Sequence, residues 1–198
     1  MFTYRRHALC AVLCLLVSPW LSAGKLRHMN LEALSNNAGS IFRGTLVGLA
    51  QGSVEAGGGT LLTTTYRFSV SEGYKGHFSS EKGFIEMTVL NKAQQSAGNE
   101  SGFIHASILP DPPKFRLGQE YLIFATTPSR IGLSTTVGLG QGCFHISRQS
   151  GVETAVNEFS NFGLFRGMAG ERSASLKGAM TYDDLIGNLS ALLKPGGN

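Results

Sequence analysis

The chain has 198 residues, 42% of them hydrophobic and 15% charged, and a formal net charge of +4 at neutral pH. That is enough for one ordinary domain with a core of its own. The positive surplus is small and scattered. A nucleic-acid binder needs a Lys/Arg cluster to displace counterions from phosphates, so no nucleic acid is expected as partner.

Arg5, Arg6 and His7 form a short basic head, and Ala8 to Val17 (ALCAVLCLLV) is an unbroken apolar run. Ser18 to Gly24 (SPWLSAG) closes it with a breaker and small residues. This order predicts a secretory signal peptide over residues 1–24, with an uncut N-terminal anchor as the alternative. The run is too short for a hydrocarbon core of about 30 Å, so no transmembrane segment is expected in the mature chain. Loss of Arg5 and Arg6 from 17 basic side chains, against 13 acidic ones, lowers the net charge to +2. Cys10 and Cys14 leave with the leader, so the mature chain keeps Cys143 alone and can form no internal disulfide. A bacterial periplasmic or extracellular address is expected. Residues 25–198 read as a single domain, with a barrel over about 38–148 and a C-terminal packing segment and helix over 149–194.

Within that domain, Asn30 is expected to cap a first short helix through Ser35, ended by Asn36 and Asn37. Ile41 to Leu49 reads as a strand whose Gly44 and Gly48 mark close packing or a bend. Glu55 to Gly59 forms a hairpin loop. Leu62 to Val70 alternates strictly, with Leu62, Thr64, Tyr66, Phe68 and Val70 on one face, which is the signature of a half-buried strand. Gly73 to Gly76 turns the chain, and Phe84 to Leu90 is a third strand with Ile85, Met87 and Val89 inward. Asn91 to Gly102 is a polar excursion, and Pro110 to Pro113 cannot sit in a central strand. Glu120 to Ala125, Leu133 to Leu139 and Gly142 to Ser147 complete the strands. Thr181 caps a last helix through Leu193, with Asp183 and Asp184 in its first turn and an apolar stripe of Tyr182, Leu185, Ile186, Leu189, Leu192 and Leu193.

The fold expected is mainly β: a small OB-like Greek-key barrel of five to six strands, with a short N-terminal helix and a C-terminal amphipathic helix. Four segments carry a resemblance, in order: Ser40 to Thr45 (SIFRGT), Val70 to Gly76 (VSEGYKG), Phe115 to Phe124 (FRLGQEYLIF) and Gly138 to Phe144 (GLGQGCF). Over about residues 30–148 the chain resembles a group of uncharacterised exported bacterial proteins. Their fold is similar to the OB-like barrel of the netrin module and the tissue inhibitors of metalloproteinases. In those inhibitors an N-terminal cysteine reaches the enzyme's zinc. Here the mature start, near Lys25-Leu26-Arg27-His28, has none, and His28 offers only an imidazole.

Cys143 and His145 sit two apart on an expected strand and so share a face. With Phe144 and Ile146 inward, the pair is placed on the outer face, where a thiol and an imidazole could act as nucleophile and base or as two metal ligands. His105 is the only further ligand suggested. Carboxylates are scattered, and no nucleophile elbow or phosphate-cradling glycine loop occurs. Phe159, Phe162 and Phe165 would make one aromatic stripe if their stretch were helical, either packed over the barrel mouth or exposed for docking. These observations point to an exported, non-enzymatic binding or interaction module with no cofactor and no metal, whose partner is a protein or a small ligand. The alternatives are an inhibitor of an extracellular metalloprotease and a thiol- or metal-dependent enzyme using Cys143 and His145.

Overall fold

A computed structural model describes residues 27–78, 83–91, 113–168 and 178–194. The expected leader (1–24), His105, most of the polar excursion and the first three residues of the Pro110–Pro113 turn lie outside these ranges.

A seven-residue helix, α1 (Leu31–Asn37), opens the described chain, capped as expected by Asn30, whose side-chain oxygen accepts from the Ala33 N–H at 2.8 Å. Strands β1 (Ser40–Ala56), β2 (Gly59–Lys75), β3 (Phe84–Leu90), β4 (Glu120–Ala125), β5 (Cys143–Gln149), β6 (Val152–Asn157) and β7 (Met180–Thr181) follow. A 3-10 helix at Leu139–Gly142 precedes β5, and α2 (Tyr182–Leu193) ends the fold. All strand pairs are antiparallel, in the order β3-β2-β1-β4-β5-β6-β7. Among the described residues no helix is long and apolar enough to cross a membrane.

The sheet is not closed, which corrects the expected ring of five to six strands. The stretch expected as a strand, Leu133 to Leu139, makes only two isolated bridges, Thr88–Leu133 and Ala125–Thr136. Extension fails there because Gly138 and Leu139 both take left-handed conformations (φ 61° and 59°), which fold the chain into the 3-10 helix. Two strands, β6 and β7, were not expected.

At its centre the sheet is covered on both faces. On one, α1 and α2 lay Leu31, Leu34, Leu185 and Leu189 against Ile41, Leu122, Phe124, Phe144 and Ile146. On the other, Phe42, Leu46, Phe68, Met87, Tyr121, Ile123 and Cys143 form a second layer. Of the faces read in β2 and β3, Phe68, Met87 and Val89 are buried in that layer with Tyr66, Val70 and Ile85 packed against it, but Thr63, expected on the opposite face, is buried as well. In β4, five consecutive residues from Tyr121 to Ala125 are buried because each face of that strand meets a different layer. Gly44 is required where β1 and β2 cross tightly: a Cβ there would lie 2.8 Å from the Ser69 carbonyl oxygen. Pairing shifts around Phe42, Gly44 and Val47 bend β1 at its bulges. Helix α2 begins where the sequence places it, with Thr181 Oγ1 accepting from the Asp184 N–H at 3.2 Å.

Candidate functional site

Cys143 and His145 do share a face of β5, but it is not the outer one. Cys143 is only 7% exposed within the second core layer, because both faces of the sheet are covered. Burial pushes its thiol well above the ordinary range, and the Glu158 charge adds to the shift. Burial of this kind favours the neutral thiol over the reactive thiolate. The His145 ring stands edge-on to Tyr121, centroids 5.8 Å apart. Among the described residues no group of three or more His, Cys, Asp or Glu could hold a metal ion.

The phenylalanine stretch is not helical. From Asn157 to Met168 the chain runs through successive turns closed by N–H to carbonyl bonds three residues apart, such as Phe162 to Phe159 and Leu164 to Asn161. Left-handed residues at Ser160, Asn161, Gly163 and Gly167 impose this path. Asn157 and Asn161 lock it, each backbone N–H donating to the other's side-chain oxygen at 2.9 and 2.8 Å. Leu164 is buried and Phe165 packs against the helix-side core. Phe159 and Phe162 are half-buried, with the His28 ring edge-on at 6.2 and 5.2 Å. His28, the imidazole near the expected mature start, thus lies edge-on to two aromatic rings.

A charged constellation was missed in the sequence because its members are far apart in the chain. Arg43 on β1 donates from Nε and Nη2 to Glu120 at 2.8 Å each, and from Nη1 and Nη2 to Glu153 at 3.0 and 2.9 Å. Its remaining Nη1 donor reaches Glu72 at 3.2 Å. The guanidinium, 11% exposed, lies over the Tyr182 ring, and Tyr182 bonds Tyr74, which bonds Glu72. Hydrogen bonding to Glu120 raises the Arg43 pKa further, so it stays charged. Burial pushes the Tyr182 hydroxyl up to about 12. Since all five Arg43 donors are used, none is left for a ligand. The cluster pins β1, β2, β4, β6 and the start of α2 together.

The β1–β2 hairpin extends beyond the rest of the sheet. Its ladder runs unbroken from Gly48–Arg67 to Ala56–Gly59, and Gly57 and Gly58 (φ 61° and 78°) make the two-residue turn. On its outer edge β1 pairs with β4 only from Ser40 to Thr45, and Leu46 exchanges backbone bonds with Gln119 and Gly118. From Val47 to Ala56 that edge carries no strand pairing among the described residues. The root is braced: Gln51 accepts from Thr64 Oγ1 at 3.0 Å and Asn91 Nδ2 at 2.8 Å. Val47 and Leu49 on this edge are 48% and 50% exposed. Separate comparisons with protein-family models, curated proteins and solved structures each found no match.

Proposed function

We propose that this is an exported, non-enzymatic interaction module that recognises an extended segment of another protein by adding it as a strand along the outer edge of β1. The observation that carries the reading is the edge from Val47 to Ala56, which no strand among the described residues pairs, on a continuous two-stranded ribbon. An isolated two-stranded ribbon is only marginally stable in water, and long exposed edges invite pairing with other chains. Strand addition gives affinity through the backbone and specificity through alternate side chains, here Val47 and Leu49. An OB-like reading of this open sheet is supported by the bridges at Leu133 and Thr136, which stand where a closing strand is expected. The basic head, short apolar run and small-residue break of residues 1–24 support export to a bacterial periplasm or beyond.

Site-specific photo-crosslinking in the exporting cell tests this. A photoreactive residue at Leu49 should give one adduct of defined mass, lost when Val47→Lys charges the edge, while the same residue at Arg130 gives none. Equal adducts at both positions, or none at Leu49, would remove the edge as a recognition surface.

A further inference from the structure

A second feature, independent of the ribbon, lies at the start of the described chain. Residues 27–30 form a strap across the helix-side core, and a cleft of about 340 Å³ opens between the strap, α1 and the turn run. Arg27 and His28 line it from the strap, Asn30 and Asn37 from α1 and its cap, and Arg166 from the turn run. That volume is at the small end of the range for small-molecule sites.

The strap is held rather than draped. Gln141, buried at 2% exposure, accepts from the Met29 N–H at 2.7 Å and donates to the Arg27 carbonyl at 3.1 Å. Asn30 Nδ2 donates to the Arg166 carbonyl at 2.9 Å, and the Leu31 N–H donates to Leu164 at 2.7 Å. These bonds fix the backbones that carry Arg27 and Arg166 relative to one another. The Arg166 guanidinium is further set by the Phe162 ring, whose centre is 5.4 Å away.

The chemistry of the lining is one-sided. Among the described residues Arg27 and Arg166 have no carboxylate partner, as Arg116 and Arg130 on the surface have none, whereas Arg43, Arg67 and Arg148 do. Among the described residues no Asp or Glu lines the cleft. Arg27 and Arg166 thus bring two positive charges to one concavity, where an anion would offset their repulsion, and each guanidinium is a fork matched to paired oxygens. Asn37 adds an amide able to donate or accept beside them.

We infer that this cleft is a binding site for a small molecule bearing a multiply charged oxyanion, phosphate or carboxylate, held between Arg27 and Arg166.

Isothermal titration with inorganic phosphate, phenyl phosphate and succinate tests it, using Arg27→Gln, Arg166→Gln and, as a charge-matched control outside the cleft, Arg130→Gln. At least one of the three anions should bind saturably, more weakly as salt is raised, and each cleft variant should lose about tenfold in affinity. The arm that responds distinguishes phosphate from carboxylate as the bound group. Arg130→Gln should bind like the wild type, and all three variants should melt at the wild-type temperature because the side chains replaced are exposed. Absence of saturable binding up to about 10 mM of every anion, a free energy of under about 3 kcal/mol, would overturn the inference. So would equal losses in all three variants, which would mean net charge rather than a site.

Discussion

The Arg43 guanidinium sits 4.4 Å from the centre of the Tyr182 ring, so the first residue of α2 closes over a cation that already holds three carboxylates. Removing that cation leaves Glu120 and Glu153 crowded together and half-buried. Arg43→Ala should therefore destabilise the fold by about 2–4 kcal/mol, below the value for a fully buried network because Glu72 stays wet. Arg43→Lys keeps the charge but loses the paired forks, and should recover less than half of that. Urea unfolding of the two variants measures both.

Acid should weaken the same junction. The Arg43 guanidinium, aided by Arg148, holds the Glu153 carboxyl below its ordinary value of 4.5, against an opposing effect of burial. A carboxyl depressed in the folded state contributes stability above its unfolded pKa and loses it as pH falls through the lower folded value. Stability should thus decline as pH drops below about 4.5, and Glu153→Gln should flatten part of that slope. Thermal melts between neutral pH and acid would show it; identical slopes in the two proteins would count against Arg43 as the cause.

Cys143 should be silent toward a water-soluble thiol reagent in the native protein and react fully once unfolded, because burial keeps it neutral and enclosed. Cys143→Ser places a hydroxyl in the second core layer and should reduce stability by about 1–3 kcal/mol. Rapid native labelling would instead place the thiol at the surface.

Gln141→Ala should release the strap. Both its side-chain bonds to residues 27–29 vanish, leaving the Met29 N–H without a partner, at about 1–3 kcal/mol. Hydrogen exchange at Met29 should accelerate sharply while the amides of β1 and β4 keep their protection.

Local signals in the sequence were strong where neighbours decide the outcome. Asn30 and Thr181 cap helices because their side chains reach backbone N–H groups only three residues on. Phe84–Leu90 and Glu120–Ala125 match the expected strands residue for residue. Position-two alternation failed for Cys143, since it assumes one wet face and the second core layer covers β5 at that position. Aromatic spacing failed for Phe159, Phe162 and Phe165, because Asn161 and Gly163 impose left-handed turns that a helical count ignores. The Arg43 cluster and the Arg27–Arg166 cleft were invisible for a different reason. Arg43 and Glu153 are 110 residues apart, and only the sheet order brings them together. The edge of β1 left unpaired among the described residues was equally hidden, since it depends on β4 being far shorter than its neighbour.

Residue-resolved amide exchange along Val47 to Ala56 tests that open edge most directly. In a strand paired on one side, N–H groups alternate between the partner strand and solvent. The account predicts an alternating pattern, with protected amides facing β2 and fast-exchanging amides between them. Uniform protection through Ala56 would mean that the edge is already covered, and the proposed mode of recognition would have no surface on which to act.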